Sequence, residues 1–364
     1  MGFSTDAQGS RRYLAEIDLL KTLAFFFMVV IHIYENFAYF EIYPYPESIT
    51  DHIIQFVGGP IAAPAFMLAL GIGIVYTSHG TPREFAKRGL QIFVIAYILN
   101  FLRGGMWYII GGEGFVEIFR YCFNVDILHL AGLSFMLVGL LKHLRLNHWH
   151  ILAVAIVMYI IGTLFDGHDF GEYTNMVVGL LLPVDDGMVC FPLLTWFIYI
   201  AAGIIFGSMV KGSPDEGRFY QKVLNAGVFL IVVPTILILA TNGDFVEIYT
   251  IHNDLYYHQS PLQLIWIFGL LFIETSLLFF ILESIGSKKV DSALRIFSRN
   301  IPHMYYIQWV AIGWIYTIYY LLELKPGNLA VALTGVTVFA VTFALAPVFN
   351  RVKARLAPTV ENVD

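Results

Sequence analysis

Ten stretches of about 20 mostly apolar residues fill most of this chain, and that is the length a helix needs to cross a hydrocarbon core. They run roughly over 18–40, 53–77, 88–110, 126–142, 149–165, 189–210, 222–240, 261–283, 301–322 and 328–349. Composition agrees. The 364 residues are 58% hydrophobic and 13% charged, where a soluble domain carries about 25% charge. A soluble enzyme and a disordered tail protein are thereby excluded. A net charge of −6 leaves no basic surface for a phosphate backbone, so nucleic acid is not an expected partner. Two cysteines, Cys122 and Cys190, cannot build a disulfide framework. The first run is too long for a cleaved signal peptide, and no small-residue cleavage site follows it.

Basic residues set the expected topology. With the N-terminus inside, only Arg103, Arg120 and Lys325 fall in outer connections, and the other eighteen Lys and Arg fall inside. A missed or extra helix would scramble that alternation. The expected fold is therefore all-α, a polytopic protein of ten transmembrane helices with both termini cytoplasmic. It reads as one domain over 1–364, with short tails at 1–15 and 350–364, in the cytoplasmic (inner) cell membrane. The outer connections 41–52, 166–188 and 241–260 lack Lys and Arg and are rich in acidic residues, Tyr, Pro, Gly and His. The last two run about 20 residues, and connections of that length are often functional. They read either as a cap over an outward-facing site or as solvated acidic loops. No internal repeat and no soluble domain is visible, so any chemistry belongs within the bundle or at its faces.

Ionisable residues at membrane depth are costly and usually mark function. The first run opens Glu16-Ile-Asp18-Leu-Leu-Lys21 and reaches His32, Glu35 and Asn36. His32 lies eleven residues beyond Lys21, about 16 Å deeper and close to three full turns away. Lys21, His32, Glu35 and Asn36 therefore share one helix face. An imidazole inside hydrocarbon is neutral and ready to accept a proton. Glu35 is placed to orient it, and Asn36 to bind substrate. The competing reading is a histidine that bonds across the bundle as packing glue.

These residues resemble a known family. Asp18, Lys21-Thr22-Leu23-Ala24 and His32 are similar to the opening of the transmembrane acyltransferase superfamily. There an Asp and an Arg-Gly-Leu-Ala stretch precede a histidine eleven residues after the arginine. Here lysine and threonine replace the arginine and glycine. Pro64-Ala-Phe-Met-Leu-Ala-Leu-Gly71 resembles the family's second helix, Lys87-Arg88-Gly89-Leu90 the start of its third, and Asp126-Ile-Leu-His129 the start of its fourth. Phe191-Pro-Leu-Leu-Thr-Trp196 resembles the sixth span of the heparan-α-glucosaminide N-acetyltransferase-like branch, and Ser298 to Trp309 a late family motif. The resemblance implies transfer of an acyl group, commonly acetyl, from cytoplasmic acyl-CoA to a sugar or other small acceptor, with His32 as general base. Lys21, Arg83 and Arg88 are the candidates to hold the donor's phosphates, although the positive-inside rule alone demands basic loops.

Other residues carry weaker expectations. Arg103 is placed to grip an anionic acceptor or to pair with Asp126, and a surface pair is the plainer role. Asp126 and His129, three apart at the start of the fourth run, are placed to complete a polar cavity, with Asp126 a candidate to bind substrate. Glu274 lies inside the eighth, where exposure to lipid would be costly. Gln308 and Trp309 read as packing and interface residues. No histidines stand at metal-ligand spacing, so no metal is expected. No Walker loop or Gly-x-Ser-x-Gly elbow is present. The expected partners are the bilayer and a small-molecule or glycan acceptor, with a homo-oligomer left open. The alternative is a proton-coupled secondary transporter, which the Gly58-Gly59-Pro60 break would also suit.

Overall fold

In a computed structural model of the chain, every apolar run holds a helix. The structure describes residues 3–5, 11–37, 48–77, 80–112, 114–184, 189–241, 243, 245–250 and 256–356. The long helices are α1 (Ala15–Phe37), α2 (Ile49–Tyr76), α3 (Pro82–Gly111), α4 (Ile127–His143), α5 (His148–Leu164), α6 (Leu193–Gly212), α7 (Glu216–Ala240), α8 (Pro261–Ile285), α9 (Lys288–Leu321) and α10 (Asn328–Leu356). Seven of them are long and apolar enough to cross a membrane: α1, α2, α3, α6, α7, α8 and the Asn328–Val348 part of α10. Helices α4 and α5 are apolar but only 17 residues each. Helix α9 begins at Lys288 rather than near 301. Its first turns carry Lys288, Lys289, Asp291 and Arg295, which a hydropathy reading passes over although they suit a helix.

Two features depart from the expected layout of helices and loops. Strands β1 (Phe3–Thr5) and β2 (Arg11–Tyr13) pair antiparallel ahead of α1; three polar-rich residues apiece give no periodic signal. Short helices Phe115–Cys122, Glu172–Val178 and Val246–Tyr249 occupy connections expected to be loops. Glu41, Glu47, Asp185, Asp186, Asp244, His252 and Asp254 of the acidic connections lie outside the described residues, as does 357–364.

Contacts between helix ends show an up-and-down bundle. At one end Glu16 of α1 accepts from the Tyr220 hydroxyl of α7 (2.8 Å) and Asp18 from Ser298 of α9 (2.6 Å). There too Tyr220 stacks on Phe279 late in α8, and Lys142 late in α4 lies over Phe85 early in α3. At the other end Tyr34 late in α1 donates to Asp51 early in α2, and Trp266 early in α8 donates to Thr235 late in α7. Early α9 meets late α10 through Phe297 and Phe343. Early α5 meets late α6 through His148 and Ser208, and late α2 lies beside late α6 at Ile72 and Gly207. Odd-numbered helices thus start at one end, and even-numbered helices at the other.

Backbones approach closely at glycines. A Cβ on Gly71 of α2 would strike α6 at Ile200 and Gly203, and one on Gly203 would strike α2 in return. With little hydrophobic drive between helices in lipid, such small residues allow the packing that holds a bundle together.

Candidate active site

A cavity of about 170 Å³ opens between α1, α2, α3, the head of α4 and α9. Helix α1 gives it Met28, Ile31, His32 and Glu35, spaced three, four and seven residues apart on one face. Both neighbouring helices widen into π turns beside it, over Val57–Ala62 in α2 and Phe101–Gly105 in α3. Such turns recur at functional sites because they re-aim side chains. The turn in α3 carries Arg103. It can lie against α9 only because residue 313 is glycine, since a Cβ there would collide with the Arg103 backbone carbonyl. In α2, Pro64 has no N–H to offer the Gly59 carbonyl five residues back. The Tyr256 hydroxyl donates to that carbonyl instead, at 2.9 Å.

The polar groups of the cavity hold one another. Arg103 pairs with Asp126 at 2.7 Å, with the arginine side chain only 6% exposed. Asp126 also caps α4, accepting the Ile127 N–H at 2.6 Å, and the Tyr305 hydroxyl reaches it at 3.5 Å. The Arg103 guanidinium stands 4.3 Å from the Trp309 ring centroid, a cation–π distance. The His32 ring stacks on Trp309 at 3.9 Å between centroids and 30° between planes. Its Nδ1 lies 3.2 Å from the amide nitrogen and 3.4 Å from the amide oxygen of Gln308. Among the described residues, Nε2 of His32, the Glu35 carboxylate and Nε of Arg103 have no hydrogen-bond partner.

A strap ahead of α8 lines the cavity with Tyr256 and Tyr257. Its backbone is tied down at two carbonyls: Trp196 Nε1 donates to Tyr257 (3.0 Å) and the Tyr159 hydroxyl to Gln259 (2.7 Å). His258 meets Asp166 of the α5–α6 connection at 2.6 Å. That connection is itself folded. Asp169 accepts the Gly171 N–H and the Asn175 amide, both at 2.8 Å, and these bonds hold its carboxyl below the usual range.

The structure brings His32, Glu35, Arg103 and Asp126 to one cavity. Asn36 lies apart, donating to the backbone carbonyl of His32 at 2.7 Å. Lys21 pairs with Asp18 at 2.5 Å. Arg88 lies 4.8 Å from the Phe135 ring centroid, and Arg83 is exposed. Five residues apart, the two arginines point about 140° away from each other on α3. Three sequence readings change. Arg103 forms a buried pair rather than a surface one, because the π turn directs it inward. Gln308 and Trp309 contact His32 directly rather than serving as general packing. Gln308, not Glu35, meets Nδ1. Asn124, Cys190, Tyr256, Tyr257 and Tyr305 line the cavity without having been singled out. The paired glycines at 104 and 105 were the available signal for the distortion in α3. Among the described residues no three His, Cys, Asp or Glu side chains converge as a metal site.

An apolar helical bundle with ionisable side chains gathered around a cavity between its helices is the build of a membrane-embedded protein that works at membrane depth. The chain belongs to the family of the heparan-alpha-glucosaminide N-acetyltransferase catalytic domain, whose model matches residues 12–253. No curated protein and no solved structure matches it. Membership makes the chain a transferase of the membrane acetyltransferase type, and the family in general draws on acetyl-CoA. The match takes in His32, Glu35, Arg103, Asp126 and Cys190, and stops short of Tyr256 and all of α9.

Proposed function

We propose that the protein moves an acetyl group from acetyl-CoA to a hydroxyl or amine of a sugar or similar small acceptor, with His32 as general base. The observation that carries this reading is the ring of His32, fixed by Gln308 and Trp309 while its Nε2 keeps no partner among the described residues. The acceptor oxygen or nitrogen attacks the acetyl carbonyl carbon as its proton passes to Nε2. The new bond forms, the C–S bond breaks, and the departing CoA sulfur takes the proton back. Nε–H of Arg103 is a donor suited to charge building on the acetyl oxygen. At about 170 Å³ the cavity is smaller than the 300–1,000 Å³ typical of whole-ligand pockets. It suits the acetyl end and the reacting group of the acceptor, with the body of CoA outside it.

Purified protein given labelled acetyl-CoA and a panel of glycan acceptors should transfer label, and acetyl-CoA should raise its thermal stability. A protein that does neither, yet moves a solute across proteoliposomes, is a carrier instead.

On the same reading all ten long helices cross the membrane, with both termini cytoplasmic. The end where odd-numbered helices start is also where the basic residues gather. In a cysteine-free background, a cysteine at Ser213 should be labelled only from the cytoplasm and one at Asp169 only from outside. Labelling of both from one side ends this topology.

Lys21, Arg83 and Arg88 lie toward that basic end and are our candidates for the donor phosphates. Changing all three to glutamine should raise the apparent KM for acetyl-CoA by on the order of tenfold, summing three weak charge contacts. Added salt should matter less to the variant. An unchanged KM would put the phosphates elsewhere.

A further inference from the structure

Gln308 sits in α9, beyond the stretch that matches the family, and no part of it is accessible. Among the described residues His32 is its only hydrogen-bond partner. A buried amide is costly unless its polar atoms are used, and this one spends them on a single ring nitrogen. A neutral imidazole carries one N–H. If the Gln308 amide N–H donated to Nδ1, the ring proton would sit on Nε2, and Nε2 could not take a proton from an acceptor. If the amide oxygen accepts from Nδ1–H, Nε2 keeps its lone pair toward the cavity. Both amide atoms lie within reach of Nδ1, so either tautomer can be held, and only the second can do base chemistry.

We propose that Gln308 is a positioning residue that sets the tautomer of His32, its amide oxygen accepting Nδ1–H so that Nε2 is left as the proton acceptor. This rests on the reading of His32 as the base. The partner on the far nitrogen commonly decides which nitrogen of a working histidine is free. A neutral amide does this without adding a charge at membrane depth. Glu35, one turn along the same helix, makes no hydrogen bond to the ring. Stacking on Trp309 holds the ring plane but leaves the tautomer undetermined. The ionisable groups on the cavity wall around His32 are Glu35 of α1, Arg103 of α3 and Asp126 at the head of α4. Cys190, Tyr256, Tyr257 and Tyr305 add S–H and O–H groups.

Two variants test the role, assayed as full-length protein with acetyl-CoA and glucosamine as the acceptor probe. Gln308→Met keeps the volume and removes both polar atoms. It should lower kcat by about 10²-fold or more, with KM changed less than about twofold, because the tautomer and not the binding is lost. Gln308→Glu offers an acceptor and no amide donor. It should restore most of the turnover and move the acid limb of the pH–rate profile to higher pH, since a carboxylate favours the imidazolium. A methionine variant with wild-type kcat overturns the proposal, and so does a glutamate variant as inactive as the methionine one. If Gln308→Met does not fold, Gln308→Glu decides alone. Retained turnover with a shifted acid limb supports the role, and lost turnover or an unmoved limb overturns it. His32→Ala separates the two levels. An active His32→Ala protein removes the base reading itself, whereas an inactive one beside unaffected Gln308 variants removes only this inference.

Discussion

His32→Ala should lose about 10²–10⁴-fold in acetyl transfer, the usual cost of removing a general base, while folding and binding acetyl-CoA as before. The fold should survive because the side chain is half-buried and its contacts are a stacked ring and one amide. The wild-type rate should fall at acid pH, as the imidazole takes up a proton and can no longer accept one. The residual rate of the alanine variant should lack that acid limb. Glu35→Gln, which removes a carboxylate from the cavity but leaves the base, should change turnover less. Steady-state rates across pH, with thermal stabilisation by acetyl-CoA as the binding control, check all of this. Wild-type turnover in His32→Ala would leave only a histidine that packs between helices.

The largest stability effect should come from Asp126→Ala. That carboxylate pairs with Arg103 and caps α4. Its removal strands a guanidinium that is 6% exposed. Breaking a buried pair from one side costs about 3–5 kcal/mol, and losing an N-cap about 1 kcal/mol more. Melting in detergent should register a large drop. Asp126→Asn, which keeps a capping oxygen, should be milder. The double change Arg103→Met with Asp126→Leu should recover much of the stability, because no unpaired charge remains, but little of the turnover. An Asp126→Ala protein that melts with the wild type would show that the pair carries no stability.

The helices were legible because hydropathy over 20 residues is a coarse and robust signal. Even so, the start of α9 was missed, since its first turns are polar enough to fall below that signal while remaining good helix. His32 and Glu35 were found by asking which ionisable groups sit at membrane depth, where burial makes each one conspicuous. Arg103 instead reads as an outer-connection residue, and Asp126 as one at the start of the fourth run. Gln308 and Trp309 escaped the same question because neither is charged. An amide and an indole are ordinary packing residues until a tertiary contact gives them a partner 276 and 277 positions away. Tyr256 and Tyr257 escaped because a strap has no period to read. The inward aim of Arg103 depends on a π turn, and the sequence marks that only by Gly104 and Gly105. The charges of the site are thus local facts of the chain, and their geometry is a product of packing.

Five polar contacts hold the strap against the cavity: Tyr256 to Gly59, Trp196 to Tyr257, Tyr159 and Tyr199 to Gln259, and His258 with Asp166. Lifting it breaks them together. At a net 0.5–1.5 kcal/mol or so each, the lifted form holds about one percent of the molecules at most. Anything that arrives through the strap waits for that rare state, on the microsecond-to-millisecond scale of lid motions. For such a route the gate, and not the proton transfer, sets the ceiling on turnover. Loosening Tyr159 or Trp196, neither of which lines the cavity, would then quicken the protein without touching its chemistry.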